Sequence, residues 1–226
     1  IAIASETIAF DNYTNYTNVK NGDVIIIKNN DKTLNHVCYN IYSYPLTPCL
    51  FEYIYFARPE SYINDVLVYE YRELIADKLI DTINNVTNNH IDYVIPIPNT
   101  GIITANYISN KIKKPLKYAI VKNRYSQRTF INNKSTIHND IKKIKIVSQF
   151  VNNKRLLVID DSIVRGNTSK IIIDQLRNYS VKYINFVSCC PPIKYPNKYG
   201  INISTCSELI AHNNTENQIK NIIGAD

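Results

Sequence analysis

Residues 156–169 read LLVIDDSIVRGNTS, and few folds accommodate such a string. Leu156, Leu157, Val158 and Ile159 form an apolar run without polar alternation, which suits a strand buried on both faces of a parallel sheet. Asp160 and Asp161 follow at once. A small-residue loop then runs from Ser162 to Ser169 and opens a helix over residues 170–177, with Ile172, Ile173 and Leu176 as its inner face. In an open α/β sheet, ligands sit outside the carboxyl ends of the strands. A loop of Gly, Ser and Thr entering a helix N-terminus presents backbone N–H groups to an anion. Two carboxylates at the strand end can accept hydrogen bonds from vicinal sugar hydroxyls or face a hard cation. The stretch therefore reads as a cradle for a ribose and its 5′-phosphate, with both carboxylates reachable from solvent. The plainer alternative is a strand–turn–helix with two exposed acids, which leaves adjacent like charges without a purpose.

The same grammar recurs elsewhere. Residues 68–83 place Tyr71, Ile75 and Leu79 at helical spacing. Residues 93–97 form a second apolar strand, ending in the turn Pro98-Asn99-Thr100-Gly101 before a helix that carries Ile102, Ala105 and Ile112. Further strands are expected at residues 117–121 and 183–188, and short helices at 207–211 and 216–223. This alternation predicts an α/β protein with a doubly wound parallel sheet. Upstream, residues 1–6 and 24–27 read as strands, with a turn at Asn21-Gly22. Pro45 and Pro48 punctuate a join, and the alternating aromatics of residues 51–56 suggest another strand, its side chains packed in a core.

Charge and cysteines narrow the function. The net charge of +7 suits either Lys-for-Arg and Asn-for-Asp drift in an A/T-rich coding sequence or a pocket for polyanionic substrates. No nucleic-acid motif accompanies it. The five cysteines include no CxxC pair, so neither a zinc site nor a disulfide framework is expected, and reduced thiols point to the cytoplasm. No apolar run reaches the roughly 18 residues of a membrane span, and no signal peptide is visible. The chain has no Met and starts at Ile1, which suggests a segment of a longer polypeptide.

LLVIDDSIVRGNTS resembles the phosphoribosyl pyrophosphate (PRPP) motif of the type I phosphoribosyltransferases: four apolar residues, two acids, then a phosphate loop. Within them it is similar to the amidophosphoribosyltransferases, the glutamine PRPP amidotransferase family of purine synthesis. CLFEYIYFARPES (residues 49–61) and KNRYSQRTFI (residues 122–131) carry the same resemblance in the same order. It implies a type I phosphoribosyltransferase domain over residues 47–226, without the family's C-terminal tail. Residues 1–46, through IAIASET, resemble the closing part of a glutaminase domain and its linker. That domain's nucleophilic N-terminal Cys has no counterpart here.

The implied reaction is the first step of purine synthesis: PRPP and glutamine-derived ammonia give 5-phosphoribosylamine and pyrophosphate, a pentosyl transfer. By resemblance, Asp160 and Asp161 contact the ribose hydroxyls and help place Mg²⁺, with Gly101 as a further metal contact. Ser162, Ile163, Val164, Arg165, Gly166, Asn167, Thr168 and Ser169 wrap the 5′-phosphate. Asn99, Thr100 and Gly101 match the pyrophosphate loop, where the family usually has an acid in place of Asn99. Lys122, Arg124 and Arg128 belong to a loop that closes over PRPP and carry catalytic cations for pyrophosphate. The family usually has Gly where Gln127 stands, and Lys145 matches a lysine at the loop's far end. Cys49 matches one iron–sulfur ligand, but Asn197 stands at a second and two more would lie past Asp226, so no cluster is expected. The resemblance further implies homo-oligomers and feedback inhibition by purine nucleotides, with no nucleic-acid or membrane partner. Another PRPP-dependent phosphoribosyltransferase and a non-catalytic PRPP sensor are the alternatives. This chain alone is expected to use ammonia rather than glutamine.

Overall fold

The computed structural model describes residues 2–10, 16–30, 33–42, 45, 47–87, 90–122, 144–197 and 205–226. The chain divides into two compact units, Ile1–Tyr71 and Arg72–Asp226.

In the first unit, β1 (Asp23–Asn30) and β2 (Thr33–Asn40) pair antiparallel, with Val24 opposite Tyr39 and Ile26 opposite Val37. Gly22 stands at φ +84°, and a Cβ there would meet the carbonyl oxygen of Tyr42 at 2.0 Å, so only glycine fits the turn that starts the ribbon. Asp23 holds the ribbon's base: one carboxylate oxygen accepts from Asn40 Nδ2 (2.8 Å) and the other from the Lys20 amide (2.9 Å). No strand forms at residues 2–6; a 3₁₀ turn, Thr7–Phe10, follows them.

The expected strand at residues 51–56 is also replaced. Glu52–Phe56 is a π-helical turn, in which the Ala57 amide donates to the Glu52 carbonyl at 2.9 Å. The aromatic spacing explains the outcome. The Phe51 ring lies 5.5 Å from that of Tyr55 and 5.8 Å from that of Phe56, contacts that a strand cannot bring together. Phe51, Tyr53 and Ile54 are buried, whereas Tyr55 and Phe56 are exposed, so core packing accounts for only part of the aromatic run. Two short strands, β3 (Tyr62–Ile63) and β4 (Val66–Leu67), close a hairpin through Asn64 and Asp65, both at positive φ as a two-residue turn requires.

The second unit is the α/β layer structure that the sequence predicts. Three parallel strands, β5 (Tyr93–Pro96), β8 (Arg155–Asp160) and β9 (Tyr183–Ser188), lie in the order β5-β8-β9. Residues of β8 alternate between two cores. Leu156 and Val158 pack with Ile172, Ile173 and Leu176 of α3 (Asn167–Arg177) and with Ile219 and Ile223 of α4 (Glu216–Ile223). Leu157 and Ile159 pack with Ala76 and Ile83 of α1 (Val68–Thr87) and with Ala105 and Ile108 of α2 (Gly101–Ile112). Helices thus cover both faces of the sheet, which explains why β8 carries no polar side chain between the exposed Arg155 and Asp160.

The local signals behave as their chemistry dictates. The α4 N-terminus has a capping box, Thr215 with Gln218, and the helix ends at Gly224 in the left-handed region. At residues 117–121 the chain departs from expectation. Only Leu116 bridges parallel to Val94, and the chain then turns into an antiparallel ribbon of β6 (Ile120–Lys122) and β7 (Ile144–Ile146). The segment at 207–211 forms a single 3₁₀ turn, Cys206–Glu208, rather than a longer helix. No described helix is long and apolar enough to cross a membrane.

Candidate functional site

The carboxyl ends of β5 and β8 bring two loops to one place. Pro96 pairs with Ile159, and the Ile97 amide donates to the Ile159 carbonyl at 2.8 Å, so Pro98-Asn99-Thr100 emerges beside Asp160 and Asp161. The peptide between Pro98 and Asn99 is cis. A Cβ on Gly101 would stand 2.6 Å from the Ile159 carbonyl oxygen. Glycine lets the first turn of α2 close onto the end of β8, and that approach carries Thr100 to Asp161. The Thr100 hydroxyl donates to Oδ2 of Asp161, and the Ser162 hydroxyl donates to Oδ1. Oδ1 of Asp160 accepts from the Asp161 amide at 2.9 Å.

Neither carboxylate is freely open to solvent, contrary to the sequence-based expectation: Asp160 is 6% exposed and Asp161 8%. The cause is the next strand. The Cys189 amide donates to the Asp160 carbonyl (3.0 Å) and the Cys190 amide to the Asp161 carbonyl (2.8 Å), so the chain beyond β9 flanks the acid pair. Burial, reinforced by the negative charge of Asp161, pushes the Asp160 carboxyl well above the usual range. Burial likewise pushes the Cys189 thiol up to about 12, which makes it an inert packing group rather than a nucleophile.

The phosphate-type loop follows. Gly166 sits at φ +78° directly before α3, and no side chain caps the helix. Asn167 and Thr168 are exposed and Ser169 is buried, so the first-turn amides lie where the helix supplies no acceptor. The loop is braced from outside. The Ile210 amide donates to the Val164 carbonyl at 3.0 Å, Ile163 packs against the core shared by α3 and α4, and Ile210 Cδ1 lies 2.5 Å from where a Cβ on Gly166 would stand. Arg165 is turned to Glu208, with Nε donating to Oε2 at 2.8 Å and Nη2 paired with the same oxygen.

The basic residues are more scattered. Lys122 and Lys145 are exposed on neighbouring strands of the ribbon. Lys145 pairs with Val121 and Lys122 with Ile144, so the two lysines point to opposite faces. Arg124, Gln127, Arg128 and the rest of the expected closing loop lie outside the described residues. Sequence reasoning missed Arg72, a buried arginine of α1. Burial lowers its pKa, and the negative charge of Asp161 opposes that shift. Its legible signal was a charge on the stripe that continues through Ala76, Leu79 and Ile83. Thr104, whose hydroxyl faces the Cys189 thiol, was missed as well.

As a donor set for a metal, the described residues offer the two carboxylates and no cluster of three or more His, Cys, Asp or Glu. That suits Mg²⁺, which commonly takes one or two carboxylates and completes its shell with water and substrate phosphates.

Residues 68–219 match the phosphoribosyl transferase domain family. The chain is 36% identical to the amidophosphoribosyltransferase of Pseudomonas aeruginosa over 232 residues, covering 99% of this chain and 45% of that protein. It is 37% identical to the Escherichia coli enzyme of the same name over 230 residues, with the same coverage. Among solved structures, the glutamine PRPP amidotransferase of Bacillus subtilis, complexed with ADP and GMP, superposes with a TM-score of 0.82. That match has 33% identity and covers 98% of this chain and 48% of the other. The chain spans about half the length of the curated relatives it matches. The family match runs from the start of α1 into α4, through the acid pair and both loops that flank it, and the chain therefore belongs to the phosphoribosyl transferase domain family.

Proposed function

We propose that this protein is an amidophosphoribosyltransferase: it transfers the phosphoribosyl group of PRPP to ammonia, giving 5-phosphoribosylamine and pyrophosphate, as the first step of purine synthesis. The observation that carries this reading is the placement of Asp160 and Asp161 between the turn at 98–101 and the uncapped start of α3. In that arrangement the amides of residues 167–169, with the rest of the loop from Ser162, hold the 5′-phosphate. Asp160 and Asp161 accept hydrogen bonds from the ribose hydroxyls. The backbone of Asn99, Thr100 and Gly101 receives the pyrophosphate. Mg²⁺ held by the two carboxylates, with the Gly101 backbone as a further contact, would neutralise charge on the departing pyrophosphate.

Catalysis then rests on placement and charge. The sugar C1 must face the nucleophile while the leaving group is held and water excluded. Ammonia is nucleophilic without a general base. Lys122, Arg124 and Arg128 supply cations to pyrophosphate as the bond at C1 breaks, whereas Lys145, on the opposite face of the ribbon from Lys122, does not share that contact. Residues 47–226 are read as the transferase domain. Residues 1–46 are read, on the IAIASET resemblance, as the closing part of a glutaminase-type domain with its linker, whose role would be to release ammonia from glutamine. The ADP and GMP of the Bacillus subtilis complex support purine nucleotides as feedback ligands. A homo-oligomer in the cytoplasm fits the family and cysteines that form no disulfide among the described residues.

The test is direct. The purified 226-residue chain is supplied with PRPP, Mg²⁺ and an ammonium salt, and pyrophosphate release is followed. Release that needs ammonia and stops with chelator supports the reading. Release that needs a purine base instead would make the protein a base-specific phosphoribosyltransferase. PRPP binding without turnover would make it a sensor.

A further inference from the structure

Thr100 is the last residue before α2, where a Thr side chain ordinarily accepts a hydrogen bond from an amide of the first helical turn. Here it makes no such cap. Its hydroxyl donates across the site to Oδ2 of Asp161, sixty-one positions further along the chain. The other oxygen of Asp161 is taken by the Ser162 hydroxyl, and the Asp161 carbonyl by the Cys190 amide. Asp161 is thus clamped from three directions, and only the Thr100 clamp comes from the turn at 98–101. The approach that makes it possible is built in, since Gly101 alone admits α2 so close to the Ile159 carbonyl.

From this geometry we propose that Thr100 is a positioning residue whose hydroxyl acts through Asp161. It fixes the rotamer of the ribose-facing carboxylate and ties the pyrophosphate turn to the PRPP loop, so that both halves of the substrate site move together. The inference rests on the proposed PRPP function and divides the labour of residue 100: its backbone serves the pyrophosphate, and its hydroxyl serves Asp161. A hydroxyl that touched pyrophosphate directly would act independently of Asp161. The two assignments therefore differ in how the substitutions combine.

The experiment is a double-mutant cycle in the full 226-residue chain, read as kcat/KM for PRPP with ammonia and as the calorimetric Kd of Mg²⁺-PRPP. Thr100→Val is expected to weaken both about tenfold, the scale of one hydrogen bond to a charged acceptor. Thr100→Ser should recover most of that loss, because the hydroxyl returns. In an Asp161→Ala background, Thr100→Val should add less than about twofold. The same cycle on urea unfolding of the ligand-free chain keeps the question answerable if Asp161→Ala abolishes PRPP binding. Val at residue 100 should destabilise the parent and have no further effect once Asp161 is gone. Full additivity in the measurable readout overturns the proposal, as does Thr100→Val with unaltered PRPP affinity and turnover. If the parent itself binds no Mg²⁺-PRPP, the functional reading fails. The unfolding cycle then still reports whether the Thr100–Asp161 bond exists.

Discussion

Gly101→Ala is a demanding test of the site's architecture, because it adds one methyl group at a position with no left-handed backbone. The new Cβ would stand 2.6 Å from the Ile159 carbonyl oxygen, 3.4 Å from its carbon and 3.6 Å from the Asp160 Cα. All three are backbone atoms of β8 and its end, held by pairing to β5 and β9, so no side chain can rotate away. Forcing a methyl group into such a site costs about 1–3 kcal/mol. Replacing Gly by Ala returns about 0.4–1 kcal/mol through the unfolded chain. The net expectation is a loss of about 1–2 kcal/mol. With a urea slope of roughly 2–3 kcal/mol/M, the midpoint should fall by about 0.5 M. Far-UV circular dichroism gives the midpoint, and amide exchange along β8 localises the effect. Mg²⁺-PRPP affinity should fall as well, because α2 must retreat and take Thr100 away from Asp161. A variant as stable as the parent, with unaltered PRPP affinity, would refute the close-approach argument.

Three other outcomes are expected. Asp160→Asn and Asp161→Asn should each weaken Mg²⁺-PRPP binding by about 1.5–3 kcal/mol, while Asp160→Asn leaves the ligand-free fold as stable or more so, since it removes a buried acid; parental affinity by calorimetry in both would end the ribose assignment. The ligand-free protein should lose stability as pH rises. Burial raises the native pKa of Asp160 above its ordinary 3.8, so between 3.8 and the raised value the native state holds more protons than the unfolded chain, and the slope of stability against pH is negative there. Urea midpoints at about pH 5 and about pH 7 test this, and Asp160→Asn should flatten the difference. With Mg²⁺-PRPP saturating, turnover at fixed total ammonium should climb with pH as ammonium gives way to ammonia, and become flat when replotted against free ammonia; a slope that persists after that correction would require a titrating protein base.

What the sequence could disclose depended on whether a residue's neighbours in the chain were also its neighbours in space. The unbroken apolar run before Asp160 was legible because β8 is covered on both faces, and each of its side chains reports that burial independently. The helices α1, α2, α3 and α4 were legible for the same reason, from apolar spacing along one face. Residues 51–56 were misread because alternating aromatics fit a strand as well as a helix edge; the choice was made by ring contacts at four and five residues' separation. The turn of the chain after Leu116 depends on pairing with β7, more than twenty residues away, and no local pattern encodes it.

The acid pair shows the limit most clearly. Sequence alone assigns Asp160 and Asp161 a role, because two adjacent acids before a phosphate-type loop need one. It cannot say that they are nearly inaccessible, since the chain that flanks them, at Cys189 and Cys190 beyond β9, and the Arg72 charge that faces Asp161 both come from other parts of the chain. That burial changes the chemistry. An exposed pair would stay ionised and bind a cation weakly and without selection. On the proposed PRPP function, a buried pair, with Asp160 pushed toward its neutral form and Asp161 clamped by two hydroxyls, would hold its charge in reserve until a cation or a pair of sugar hydroxyls arrives to satisfy it. Ligand binding and proton release from Asp160 would then be one event. Calorimetry of Mg²⁺-PRPP binding in buffers of differing ionisation enthalpy should count the proton released, and no buffer dependence would mean that Asp160 is already charged before the substrate enters.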